Sequence, residues 1–170
     1  MPGQGLILRG TVRAVLGGNI DTDLIYPGRY LNITDREKTA EHLFELAFPE
    51  IRGALRPGDF IVAARNFGCG SSREQAAAAL KFAGAGAVVA GSFARIFYRN
   101  AINLGLPAVV SPGAAAACNV GDELALDLAA GSIRNLTQVR VIEAAALDPR
   151  AVELLAAGGL IPYLKRKYAA

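Results

Sequence analysis

An apolar run, Phe60-Ile61-Val62-Ala63-Ala64, leads through Asn66-Phe67-Gly68-Cys69-Gly70-Ser71-Ser72-Arg73-Glu74 into an alanine-rich stretch that ends at Gly84. A short apolar run bounded by turn residues reads as a strand buried on both faces, and the alanines after it read as a helix over 72–83. Ala87–Ala90 repeats the strand pattern. Phe93, Ile96, Phe97, Ala101 and Leu104 then fall at helical spacing before Gly105, and Ala108-Val109-Val110 closes the series. Strand, helix, strand, helix, strand is a βαβαβ unit, in which each helix carries the chain back so that the strands can run parallel.

The flanking segments fit around this unit. Leu6, Leu8, Val12 and Leu16 mark an opening strand over 6–16 that breaks at Gly17-Gly18. The next segment, from Asn19 to Leu31, follows no regular period and reads as a long functional loop. Thr34 or Asp35 caps a helix expected to run to about Phe48, because Ala40, Leu43, Phe44 and Ala47 share a face; Pro49 is read as its end. Beyond Pro112 the pattern shortens to a helix ending by Asn119 and strands near Glu123–Leu128, at Ser132-Ile133 and over Val139–Glu143. This is a β layer appended to the parallel unit. Asp148-Pro149 caps a last helix, Arg150–Ala157, which Gly158-Gly159 ends before Leu160–Leu164. One α/β domain spanning residues 1–170 is expected, and 52% apolar residues suffice to fill its core.

Charge and ligand chemistry exclude several functions. The 18 Lys and Arg exceed the acidic residues by three, yet they are scattered, with a single cluster at Lys165-Arg166-Lys167. Basic residues interleaved with aromatics, as nucleic-acid binding requires, are missing. No apolar run approaches the ~18 residues of a membrane span, and Met-Pro-Gly-Gln-Gly does not resemble a secretory leader. A soluble cytoplasmic protein, contacting neither nucleic acid nor membrane, is expected. Two cysteines, Cys69 and Cys118, and one histidine, His42, are too few for an iron–sulfur cluster or an ordinary zinc site. Any metal chemistry must borrow its ligands, so no metal residue is assigned to this chain.

The turn at 66–74 has two readings. Ser71 and Glu74 stand at the S-x-x-E spacing of a capping box, which satisfies orphan N–H groups at a helix start. A cap does not require glycine on both sides of Cys69, a second hydroxyl and an arginine; those additions point to a ligand. A carboxylate gains from the positive end of a helix dipole, and an arginine such as Arg73 grips it bidentately. A serine in the same field has its alkoxide stabilised and can serve as a base if a nearby cation shares the charge. Cys69 as a nucleophile lacks a partner histidine, since His42 falls within the helix expected over 35–48. A P-loop reading fails because no lysine follows the second glycine.

This turn, the loop Gly18-Asn19-Ile20-Asp21-Thr22-Asp23, the segment Ser92-Phe93-Ala94-Arg95-Ile96-Phe97-Tyr98-Arg99-Asn100 and the ending Gly-Gly-Leu-Ile-Pro-Tyr-Leu-Lys together resemble the aconitase family. Within it the chain is similar to the small subunits of 3-isopropylmalate dehydratases, from about residue 5 to 167. The resemblance implies a swivelling β/β/α domain that closes over a large subunit carrying a [4Fe–4S] cluster. It implies Ser71 as the base, Ser72 as its companion on a substrate carboxylate, Arg73 as the carboxylate clamp and Asp23 as an acidic residue that orients the site. Arg29 is a further candidate for reaching substrate, while Asp21 is read as an Asx-type turn residue. The family often places a histidine after Ser-Ser-Arg-Glu, where this chain has Gln75. Arg95 and Arg99 fit a polar helix stripe as well as any contact.

Substrates in this family share a malate core and differ in the attached group. The segment Arg29–Thr34 resembles the one that reads that group. No lysine or arginine occurs from Tyr30 to Asp35, whereas Leu31 and Ile33 offer apolar surface. An extra carboxylate would demand a cation opposite it, so an isopropyl substituent is expected; homocitrate and methylated malates are the alternatives. Arg29 or Arg36 turned inward would weaken that choice. A reading from another class is a non-catalytic regulatory or RNA-binding module.

Overall fold

One long strand serves two half-sheets. The computed structural model describes residues 5–169. In it β1 (Ile7–Leu16) pairs antiparallel with β5 (Glu123–Asp127) along Ile7–Thr11, and parallel with β2 (Phe60–Ala63) along Val12–Leu16. The register slips by one residue between Val12 and Ala14, a bulge that bends the strand and adds twist where it changes partners. From β2 the parallel half continues to β3 (Ala87–Ala90) and β4 (Ala108–Val110). On the other side β5 continues to β6 (Ser132–Asn135) and β7 (Arg140–Glu143), giving the order β4-β3-β2-β1-β5-β6-β7.

The two halves differ in burial as their sequences require. All residues of β2 and β3 are buried, so these strands are covered on both faces. β7 instead buries Ile142 between exposed Val141 and Glu143, the alternation of a half-solvated sheet. Crossover helices α4 (Glu74–Phe82) and α5 (Arg95–Leu104) pack on each other, and Gly105 at φ 80° ends α5 in a left-handed cap. Buried Asp59 accepts from Arg13 Nε at 2.7 Å and from the Arg56 N–H at 2.8 Å, tying the turn before β2 to β1.

Three expectations need correction. The helix foreseen over 35–48 is one short helix, α2 (Arg36–Ala40), followed by turns over 41–47, and α3 (Pro49–Ala54) begins where it was expected to end. Phe44, fully buried at φ 55°, donates its N–H to Ile25 O at 2.8 Å instead of continuing a helix. Burying the adjacent Leu43 and Phe44 together turns the chain, and Pro49 starts α3 because a first-turn residue needs no N–H. The capping box does not form: α4 begins at Glu74 with Arg73 at its N-cap position, leaving Ser71 and Ser72 in the preceding turn. Finally, Leu160–Tyr168 is a helix, with Pro162 tolerated in its first turn. The loop after β1 also holds a short helix, Thr22–Ile25, whose cap is Asp21 accepting from Leu24 N–H at 2.9 Å, and a 3-10 turn, Gly28–Tyr30.

A side chain at position 10 would collide with the turn before β2 and with the Phe60 ring. A Cβ there would lie 2.4 Å from Gly58 O and 2.7 Å from Phe60 Cε1. Gly10→Ala is expected to cost about 1–3 kcal/mol, the range for overpacking a filled site, as a lower urea midpoint with an unchanged m-value.

Candidate active site

The loops following β1, β2 and β3 meet at the C-terminal edge of the parallel half-sheet, the edge where open α/β sheets bind ligands. Backbone bonds join them. Gly68 N–H donates to Ile20 O at 2.7 Å and Thr22 N–H to Cys69 O at 2.8 Å, while Phe67 N–H reaches Ser92 O and Ala94 N–H reaches Phe67 O, both at 3.0 Å. Beneath the turn, the Phe67 ring packs edge-on to Phe97 and Phe93, with centroids 5.2 and 6.0 Å away. Gly68 lies directly on this cluster at φ 80°, and an added Cβ would come within 2.2 Å of Phe97 Cγ. The close approach that the glycines permit is therefore, at position 68, an approach to the protein's own aromatic floor.

On that floor the turn presents its polar residues outward. Ser71 and Ser72 are exposed, and the Ser71 carbonyl accepts from Thr22 Oγ at 3.1 Å. Arg73 is half-buried and its Nη1 donates to Asp23 Oδ1, which also accepts the Gly28 N–H at 3.0 Å. Residue 28 lies flat against this pair: a Cβ on it would sit 3.0 Å from Arg73 Nη1 and 3.2 Å from Asp23 Oδ1. The Arg73 guanidinium, and then the Gly28 N–H, hold the Asp23 carboxyl below the ordinary carboxylate range. Thus Asp23 and Arg73, fifty positions apart in the chain, are brought together beside Ser71 and Ser72.

The other candidates divide. Leu31 is exposed and its carbonyl lies 3.4 Å from Gln75 Nε2, so the segment holding Leu31 and half-buried Ile33 is linked to the first turn of α4. Arg29, expected to reach substrate, instead donates from Nη2 to Glu45 Oε1 at 2.6 Å. Its guanidinium lies 4.8 Å from the Tyr30 ring centre. Arg95 and Arg99 are exposed on α5. Glu45 and the Gln75 link were not found from the sequence. Glu45 lay in what read as a helix, and an amide bonding a distant backbone carbonyl leaves no spacing signal.

No groove encloses the turn among the described residues. One of ≈ 540 Å³ is lined by Gly18, Asn19, Ala64, Arg65, Asn66 and Ser92; another of ≈ 670 Å³ lies along α2, past Glu37, His42 and Glu45. Neither is lined by Ser71 or Arg73; the Ser71 side chain is exposed and that of Arg73 is half-buried. Among the described residues no three His, Cys, Asp or Glu side chains gather as a metal site, and no helix is long and apolar enough to cross a membrane.

Residues 19–112 match the family described as the aconitase C-terminal domain. The chain is 52% identical to the 3-isopropylmalate dehydratase small subunit of Moorella thermoacetica, over 95% of this chain and 97% of that one. It is 50% identical to the methanogen homoaconitase small subunit of Methanothermobacter thermautotrophicus, over 94% and 92%. Its fold resembles the crystal structure of a 3-isopropylmalate dehydratase chain from Methanocaldococcus jannaschii, with TM-score 0.84, 42% identity and 96% of both chains covered.

The Asp23–Arg73 pair has a titration signature. Because the folded Asp23 value is depressed, the pair contributes stability above the ordinary carboxylate range and loses it as pH falls through that lowered value. Carboxyl-carbon NMR is expected to place Asp23 below a solvated aspartate, and Arg73→Gln to move it back up. An Asp23 titration unmoved by that substitution would show that Arg73 is not its counterion.

Proposed function

The chain belongs to the aconitase family, in the branch of 3-isopropylmalate dehydratase small subunits, and we propose that it is the swivelling half of a hydro-lyase. The reaction interconverts 2-isopropylmalate and 3-isopropylmalate by dehydration and rehydration, as leucine biosynthesis requires. The observation that carries this reading is the open turn at the sheet edge, where two exposed serines stand beside an arginine already gripping a carboxylate, that of Asp23. A substrate carboxylate offers Arg73 the same chemistry.

The site is half of a whole. The residues present do not fit a [4Fe–4S] cluster, since the described ones form no ligand group, and the cluster is assigned to a large partner subunit. There it supplies a Lewis acid. This chain contributes a clamp and a base. Arg73 binds substrate carboxylate bidentately, held in place by Asp23 and Gly28, and Ser72 donates to the same carboxylate. Ser71 Oγ, as an alkoxide beside that cationic charge, takes the proton from the carbon next to the carbinol carbon and returns it during rehydration. Closure against the partner excludes water from Ser71, which is solvent-exposed in the free chain, and so strengthens every charge interaction there. Leu31 and Ile33 receive the isopropyl group. The free thiols of Cys69 and Cys118 suit a reducing cytoplasm.

Homocitrate is the competing substrate, favoured by the 50% identity to a homoaconitase small subunit. The stretch from Tyr30 to Asp35, which lacks lysine and arginine, favours isopropylmalate instead.

In the complex reconstituted with its large subunit, Ser71→Ala is expected to lower kcat about 10²–10⁴-fold while co-purification stays intact. Near-normal turnover by that variant would remove Ser71 as the base. A clear kcat/KM preference of the unaltered complex for homocitrate over 2-isopropylmalate would overturn the substrate assignment.

A further inference from the structure

Two cations flank the segment that reads the substrate substituent, and both are engaged elsewhere. Arg36 lays its guanidinium 4.9 Å from the Phe82 ring centre. Arg29 is bound more firmly, through Glu45, whose carboxylate collects three donors. Oε1 accepts from Arg29 Nη2 at 2.6 Å and from the Tyr30 hydroxyl at 2.9 Å, and Oε2 meets His42 Nδ1 at 2.6 Å. The Tyr30 ring also stacks on His42, with centroids 3.6 Å apart and planes within 15°. His42 first, then Tyr30 and Arg29, hold the Glu45 carboxyl below the ordinary range, so it is ionised where it grips Arg29.

This cluster differs from an incidental surface ion pair in what it immobilises. Residue 28 lies against the Arg73 guanidinium, and Leu31 is linked through its carbonyl to Gln75 on the first turn of α4. Arg29 therefore leaves the backbone between the carboxylate clamp and the apolar residues Leu31 and Ile33. On the hydro-lyase reading, that stretch of backbone meets the group that distinguishes one substituted malate from another. The Arg29 side chain is 57% exposed, and among the described residues the Glu45 carboxylate and the Tyr30 ring restrain it.

We propose that Glu45 determines substrate preference by sequestering Arg29. With the cation withdrawn, the substituent pocket is neutral and apolar and rejects a third carboxylate; released, Arg29 would compensate that charge and admit one. Selectivity then comes from withholding a partner from the wrong substrate as much as from contacting the right one. Glu45 is a positioning residue in this scheme. The proposal rests on the hydro-lyase reading above.

The test compares kcat/KM for 2-isopropylmalate and homocitrate in the reconstituted two-subunit complex carrying Glu45→Gln, Glu45→Asp, or Glu45→Gln with Arg29→Gln. Glu45→Gln is expected to raise the homocitrate-to-isopropylmalate ratio about tenfold, the scale of one modest charge interaction. Glu45→Asp, which keeps the charge but withdraws it by one methylene, should give a smaller rise in the same direction and supplies a reading if the amide variant does not assemble. Adding Arg29→Gln should return the ratio to its starting value, which a purely structural role for Glu45 would not do. A ratio unchanged in the single variants, or one that stays raised after Arg29 is removed, overturns the proposal. An unaltered complex inactive on both 2-isopropylmalate and homocitrate would instead count against the hydro-lyase reading itself, a separate outcome.

Discussion

β1 takes a parallel partner on one half of its length and an antiparallel partner on the other, and the rest of the fold follows from that double pairing. Gly10 lets the strand approach Gly58 and the Phe60 ring closely, and the bulge between Val12 and Ala14 turns it at the handover. Because the C-terminal half of β1 runs parallel to β2 and β3, the loops after all three strands emerge at one edge. Their backbones then continue pairing, which is how Asp23 comes to face Arg73. The antiparallel half carries none of the proposed chemistry. It covers the other side of β1 and extends the sheet to β7.

A second constraint is electrostatic. Asp23 holds Arg73 and Glu45 holds Arg29, and the two pairs lie on either side of the 3-10 turn at Gly28–Tyr30. In the proposed scheme one pair keeps a guanidinium at the site with its orientation set, and the other keeps a guanidinium away from it. Both are partly solvated, so neither contributes much to stability. Their proposed effect is on which charges an incoming polycarboxylate meets.

The βαβαβ order, the limits of β3 and β4, and the cap at Asp148 were legible because burial on both faces leaves continuous apolar runs and caps leave fixed residue types. The Ser71-Ser72-Arg73 turn stood out for a different reason, as a group of residues that local structure does not require. Local patterns misled where tertiary contacts replaced local ones. Phe44 took a left-handed backbone to bury its ring and bond Ile25, and it divided a segment whose apolar spacing was helical. Ser71 and Glu74 had the spacing of a cap, but Ser71 stayed in the turn that bonds to Thr22. The helix Leu160–Tyr168 follows what read as the last one, and Pro162 fits in its first turn, where it displaces no hydrogen bond.

The sequence by itself determined the order of the seven strands and of the crossover helices between the parallel ones, the family, and the scarcity of cysteine and histidine on which the proposed assignment of cluster chemistry to another chain rests. These depend on residue type and on neighbours close in sequence. Tertiary structure alone decided which charges meet: Asp23 with Arg73 across fifty positions, Glu45 with Arg29 across sixteen, Gln75 with the Leu31 carbonyl across forty-four. Periodicity and spacing do not encode such pairings, because they arise only after loops from different strands have been brought to one edge of the sheet.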